Sequence, residues 1–357
     1  MIKIYKTFEG EIKDLWIELE ANSHITPFQS YNWLSNWHNT AGKKYVLFIT
    51  CIILDGRIEA IFPFGMNGKK IIKKLEWLGG SHADYMSPIL RSDNNSVIDN
   101  FDQLWSETLD TLPQFDVFYL AKQTPKLGNK DNPFVSIYPS IESMRSYQSV
   151  FGSEWNVFKN GISKKVLADS SRQRKRLSQL GELKFNMLNP NEDYVNFLDC
   201  MFSFKQQRYK QMGVKDFLEK KENREFYINL PVIISSTAKI NCSTLTLNNE
   251  VIALHWGVTD GDTFFYLMPA YNTMKWSKFS PGKLLLEDLL KWCNNNQFSS
   301  FDFTGGEEAY KKIWSNNNFS MHEINHPFSV RGQIYLFLIG ISRRIKNIFL
   351  SLVRQKK

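Results

Sequence analysis

Two stretches of the chain, "KYVLFITCIILDGRIEAIFPFGMNGKKIIKKLEWLGG" and "STLTLNNEVIALHWGVTDGDTFFYLMPAY", are apolar runs rich in β-branched and aromatic residues. Asp55-Gly56 and Asn67-Gly68 cut the first; Asn248-Asn249 and Asp260-Gly261 cut the second. Such pairs between apolar runs predict hairpins, so each stretch reads as three strands. In the first half an extended piece, "ADYMSPIL", comes next. Each half then continues with a helical window, "NFDQLWSETLDTLPQ" or "KLLLEDLLKWCNNNQ", and a last strand carrying Phe-Asp, at 115–116 and again at 301–302. A meander, a crossover helix and a further strand, given twice, predict an α+β fold of two similar domains. Each is expected to hold a mixed, mostly antiparallel sheet flanked by helices. The expected boundaries are 1–150, 151–330 and a tail over 331–357.

Between the halves lie helical windows such as "SSRQRKRLSQLG" and "YVNFLDCMFSFKQQRYKQMG". The first belongs to a one-signed cluster, Lys164, Lys165, Arg172, Arg174, Lys175 and Arg176, read either as a solvated face or as a neighbour of an anionic ligand. Charge elsewhere is balanced. Of 44 basic residues seven follow Glu323 with no acid among them, leaving 37 against 36 acidic ones. A body so neutral argues against a nucleic-acid partner. The tail "IYLFLIGISRRIKNIFLSLVRQKK" puts Ile334, Phe337, Leu338, Ile341, Ile345, Ile348, Phe349 and Leu352 on one helical face, with bases opposite. Its apolar run is broken too early to span a bilayer. A helix on the inner face of the cell membrane, through 334–354, and a helix docked on the protein's own core are the two readings. Cys51, Cys200, Cys242 and Cys293 are scattered, without CxxC spacing or a secretory leader. The expectation is a cytoplasmic protein without metal and with inert thiols.

The chemistry-bearing segments lie in the second half. In "KWSKFSPGKLLLEDLLKW", Ser280 is a good N-cap and Pro281 suits the first helical position. The amides of Gly282, Lys283 and Leu284 are then expected to face outward, with Lys275, Lys278 and Lys283 around them, as a pyrophosphate cradle. His255 alternates with Ala253 and Gly257 on one strand face, as a general base in a cleft or as a satisfied core histidine. "SSFDFTGGEEAYKKIW" ends a strand in paired glycines and then presents Glu307, Tyr310 and Lys311, the lip of a site or a solvated helix start packed by Trp314. Asp302, between two phenylalanines, reads as buried and turn-capping, and Glu307 as an aid to Lys311.

The order "ALHWGV…FFYLMPAYN…FSPGKLLLEDLLKW…SSFDFTGGEEAYKKIW" resembles the Gcn5-related N-acetyltransferase (GNAT) superfamily, and within it the CelD-like or BioF2-like acetyltransferases, relatives of the Fem aminoacyltransferases. "TPFQSYNWLSNW", "DGRIEAIFPF" and "LGGSHADYMSPIL" extend the likeness over about residues 20–325. The resemblance implies tandem GNAT-like domains and transfer of an acyl group, expected to be acetyl, from acyl-CoA as co-substrate. It implies an amino-sugar or sugar-linked acceptor, nucleotide- or lipid-linked, in cell-surface polysaccharide synthesis. It also implies that Lys311 stabilises an oxyanion or phosphate, that Tyr310 is acid to the leaving group, and that Asp84, beside His82 and Tyr85, binds the acceptor or acts as base; a plain turn residue is the other reading of Asp84. The family's R/Q-x-x-G-x-G/A loop is replaced here by "KWSKFSPGK", which leaves aminoacyl-tRNA open as the alternative donor. A membrane-associated subunit without catalysis is the third reading.

Overall fold

The computed structural model describes residues 1–152 and 154–354, with side chains as far as 342. The side chains of Arg343, Arg344, Ile345, Lys346, Ile348, Phe349, Leu352 and Arg354, and the whole of Lys356 and Lys357, thus lie outside the described residues. The chain divides into two units. Unit 1 holds Met1–Ile25, Gly42–Ser143 and the chain from Met321 onward; unit 2 holds Thr26–Ala41 and Met144–Ser320.

Unit 1 begins with strand β1 (Ile2–Tyr5) and helix α1 (Glu11–Glu20); the next helix, α2 (Tyr31–Asn39), belongs to unit 2. The meander follows as β2 (Tyr45–Leu54), β3 (Arg57–Asn67) and β4 (Lys74–Trp77), with β5 (Ile89–Leu90) paired to β3. Asp55 and Gly56 are both left-handed, φ 50° and 78°, as a tight hairpin between twisted strands requires. Asn67-Gly68 makes no such turn. Residues 68–73 form a longer loop there, although β3 and β4 still pair antiparallel. Helices α3 (Ser96–Asp99) and α4 (Phe101–Thr111) lead to β6 (Val117–Gln123), which pairs parallel with β4. A small hairpin of β7 (Lys126–Leu127) and β8 (Lys130–Asp131) and helix α5 (Pro133–Ile137) complete this part. The core is aromatic: Phe134 stands edge-on to Phe62 at 5.4 Å and to Trp105 at 4.9 Å, and Trp77 stacks on Phe64 at 4.6 Å.

Strand β9 (Ser140–Val150) carries residues of both units. Unit 2 continues with α6 (Trp155–Asn160), α7 (Lys164–Ser178), β10 (Leu183–Leu188), α8 (Tyr194–Met212) and α9 (Lys221–Asn229). The second meander is β11 (Ala238–Leu247), β12 (Glu250–Asp260) and β13 (Thr263–Tyr271). Asn248 and Asn249 supply its first left-handed turn, φ 49° and 66°. Helix α10 (Pro281–Asn295) crosses to β14 (Ser300–Gly305), parallel to β13, giving the order β9-β14-β13-β12-β11-β10. Helix α11 (Ala309–Trp314), β15 (Asn317–Pro327) and α12 (Val330–Arg354) end the chain. The repeat seen in the sequence is therefore a repeated topology. In each unit a helix crossover makes one parallel pair in an otherwise antiparallel sheet, because returning to the same sheet in parallel needs a crossover of a dozen residues or more.

Leu284, Leu285 and Leu289 of α10 are fully buried with Phe264 and Phe301 in the unit 2 core. Residues 26–41 pack in unit 2 for identifiable reasons. Trp33 meets Phe226 at 5.1 Å and Phe28 meets Phe265 at 5.8 Å, and the amides of Asn32 and Asn36 donate to the Ile234 and Phe226 carbonyls. The unit division therefore departs from a boundary at 150 both here and at Met144–Val150.

Candidate active site

Strands β13 and β14 pair over three positions only, Thr263–Phe265 against Ser300–Asp302. Past Phe265, β13 bulges, because Tyr266 and Leu267 together oppose Gly257 of β12. Past Asp302, β14 bends away. Thr304 takes a left-handed backbone, φ 57°, and its amide donates to Asp302 Oδ1 at 2.6 Å, while Gln148 Nε2 donates to Oδ2 at 2.9 Å. Asp302 is thus the buried turn cap expected of it. A β-branched residue held left-handed stores about 1–3 kcal/mol of strain, retained only where the surroundings enforce it. The strands splay, and among the described residues no strand covers the β13 edge from Tyr266 to Tyr271. An extended ligand bearing amides can bond there as an added strand would.

The paired glycines now have a reason. Gly306 is left-handed, φ 138°, and a Cβ there would overlap Glu308 Oε2 and stand 2.7 Å from Lys311 Nζ. Its bareness lets Lys311, only 5% exposed, donate to the Gly305 carbonyl at 2.6 Å and pair with Glu308 at 3.2 Å. The expected helper was Glu307. That carboxylate instead pairs with Lys312 at 2.6 Å and accepts from Tyr147 at 3.1 Å, contacts that lower its pKa, so it faces away from Lys311. Tyr310 packs its ring edge-on to Tyr266 and Phe303, at 6.3 and 6.1 Å. Burial, then the charge of Glu308, pushes its phenol pKa up, which keeps the proton on.

His255 is fully buried and stacks on Tyr266, with centroids 4.3 Å apart and planes 3° apart. Gly257 makes room for it, since a Cβ there would overlap the imidazole. Both ring nitrogens lack a hydrogen-bond partner, as does the buried hydroxyl of its cross-strand neighbour Ser243. A core histidine kept for packing would be satisfied, because each unmet buried polar group costs about 1–3 kcal/mol. Burial, and then the nearby charge of Lys205, holds its pKa well below the ordinary value. A lowered pKa favours the neutral imidazole and weakens it as a base.

Sequence reasoning missed Lys205. It lies on α8, which packs across β13, and falls on the helix face of Leu198, Met201 and Phe202 at i, i+3, i+4 and i+7 spacing. A lysine in a core register was the available signal. Burial drops its pKa to about 8, with Glu308 opposing the fall. A lysine that is partly neutral near pH 8 can take a proton from an incoming amine.

The donor end differs from expectation in detail. Ser280 is left-handed, φ 51°, and makes no side-chain cap. Its carbonyl accepts from the amides of Lys283 at 2.9 Å and Leu284 at 3.4 Å, which leaves Gly282 as the free amide of the three expected. Tyr271 covers the Gly282 Cα, 3.2 Å from where a Cβ would be. Lys275 pairs with Glu250 at 2.6 Å, and Lys278 sits over the Phe279 ring at 5.1 Å, so neither joins a cradle. Lys283 does. With Lys165, Arg172 and Tyr310 it lines a groove of about 680 Å³ bounded by α7, the start of α10 and α11. Asp169 lies in the same groove, bonded to Arg172. Part of the basic cluster on α7 thus faces a cleft, whereas Arg174 is structural: it forks onto Asp288 at 2.7 and 3.0 Å and donates to the Leu284 carbonyl. Tyr310, Lys311, His255 and Lys283 all belong to unit 2; Asp84 belongs to unit 1, where its charge acts on the half-buried Lys122.

Residues 164–312 match the family model described as an acetyltransferase (GNAT) domain. No curated protein matches the chain. Among solved structures it is similar to FemX, at 9% identity and TM-score 0.62 over 93% of this chain and 98% of that one. It is similar also to the C-terminal domain of a putative lysylphosphatidylglycerol synthetase from Agrobacterium fabrum, at 9% identity and TM-score 0.55 over 90% and 93% of the two chains. A third likeness is to L-PGS from Bacillus licheniformis, at 10% identity and TM-score 0.54 over 97% and 99%. At such identities these likenesses show the fold alone. The chain carries a GNAT-type acetyltransferase domain, and its enzymatic class is acyltransferase.

Proposed function

We propose that this acyltransferase moves an acetyl or other short acyl group from acyl-CoA to the amine or hydroxyl of a sugar-linked acceptor, as a CelD-like or BioF2-like enzyme of cell-surface polysaccharide synthesis. The observation that carries the donor assignment is the open β13 edge from Tyr266 to Tyr271, next to a groove lined by Lys165, Arg172 and Lys283. A CoA thioester has the matching parts: an extended arm with two amides, and phosphates that three cations and the Gly282 amide attract. The acceptor class rests on the sequence resemblance.

In this reading the acceptor nitrogen or oxygen attacks the thioester carbon. The new C–N or C–O bond forms as the C–S bond breaks, the acceptor's proton passes to Lys205, and the departing sulfur takes the Tyr310 proton. Lys311, held by Gly305 and Glu308, is a positioning residue: it fixes the turn that carries Glu308 toward Lys205.

The fold likeness to FemX keeps an aminoacyl donor as the second reading, against which the near-neutral body argues. Calorimetric titration separates them. Saturable acetyl-CoA binding, displaced by CoA, supports the proposal; binding of charged tRNA with none of acetyl-CoA overturns it.

A further inference from the structure

Helix α12 leaves a large apolar face uncovered. Ile334, Phe337, Leu338 and Ile341, at i, i+3, i+4 and i+7, are 56, 68, 57 and 40% exposed. Soluble surfaces seldom show such residues in a row unless something covers them. The helix is held firmly at its start. The Gly332 amide donates to Ser329 Oγ at 3.0 Å, and Ser329 donates to Asp116 Oδ1 at 2.7 Å. A Cβ on Gly332 would overlap the Asp116 carbonyl oxygen, so the helix backbone lies directly on the end of β6. Lys74 Nζ stands 4.9 Å from the rings of both Tyr119 and Tyr335. The exposed face thus starts from a fixed base.

We infer that α12 is an in-plane membrane helix whose apolar face beds into the headgroup–acyl boundary of an anionic bilayer. The 25 residues of the helix reach about 37 Å at 1.5 Å each. Among the described residues no helix is long and apolar enough to cross a membrane, which leaves lying along the surface. Charge selects the occupant. After Glu323 the sequence carries seven bases and no acid, which anionic headgroups attract. A second copy meeting the same face would bring seven positive charges against seven, with no acid to offset them.

The test uses the full chain and sedimentation with vesicles of phosphatidylcholine, with and without phosphatidylglycerol. The wild-type protein should pellet with the anionic vesicles and weaken as salt rises. The double substitution Phe337→Glu with Leu338→Glu should weaken that binding about tenfold or more. Both positions are exposed, so its thermal unfolding and its acetyl-CoA titration should match wild type; this keeps the result separate from the donor-site reading. Wild-type protein left in the supernatant with both vesicle types overturns the inference. So does a variant that pellets equally well, or a wild-type dimer that the substitutions dissociate in the absence of vesicle binding.

Discussion

Replacing Tyr310 by Phe removes one oxygen and little else. The ring is held by its edge contacts with Tyr266 and Phe303, which do not involve the hydroxyl. Stability should therefore change by no more than about 0.5 kcal/mol. If the hydroxyl protonates the departing sulfur, the loss falls on the barrier alone. General acids contribute about 10²–10⁴ in rate, and a thiolate leaves readily enough to place this case near 10². That is about 2.7 kcal/mol of transition-state stabilisation. Because burial raises the phenol pKa, Tyr310 remains protonated across any ordinary assay range, so the deficit should be independent of pH between about 6 and 9. Release of CoA thiol from acetyl-CoA, followed with a chromogenic disulfide in the presence of amino-sugar acceptors, measures it, with calorimetry showing that the donor still binds. A Phe variant turning over within about threefold of wild type, equally stable and equally well bound, refutes the acid assignment.

Three further outcomes follow from the same geometry. As the base must be neutral, kcat/KM should climb as pH rises through about 8, where Lys205 loses its proton, and Lys205→Met should remove that limb of the profile; an unchanged limb assigns it elsewhere. Lys283→Ala should raise KM for acetyl-CoA while leaving kcat alone, since the groove end grips the donor away from the reacting carbon; equal KM values remove the phosphate role. Arg174→Met strips the bidentate partner from the half-buried Asp288, and urea unfolding should show a loss of about 1–3 kcal/mol, less than for a fully buried pair. No loss would mean that water satisfies Asp288 instead.

The fold was legible because its signals are local. Left-handed Asp55-Gly56 and Asn248-Asn249 mark hairpins by steric necessity, and the 3.6-residue spacing of leucines marks α10. Asn67-Gly68 misled because a turn-forming pair permits a tight hairpin without requiring one. Residues 26–41 misled on the unit division because contacts such as Trp33 to Phe226, 193 positions apart, leave no local trace. The segments of the candidate site were legible: strand-end glycines and a helix start marked the turns that carry Tyr310, Lys311, Gly282 and Lys283. Its inner workings were not. Leu284, four residues past Ser280, makes the first ordinary helical bond to the Ser280 carbonyl and Lys283 shares that acceptor, so of the three amides only that of Gly282 is left open. Glu307 and Glu308 are adjacent and identical, so only the bare Gly306 decides which one meets Lys311. The lowered pKa of Lys205 comes from its surroundings in the fold, which no spacing rule states.

On the proposed reading, the uncovered edge of β13 takes the thioester arm. Backbone amide hydrogen exchange, resolved to Tyr266–Tyr271 and Gly282 and compared with and without CoA, tests this without reference to any acceptor. Slowed exchange is expected at both places once CoA saturates the protein. CoA that binds tightly yet leaves the exchange of that strand edge unaltered contradicts it.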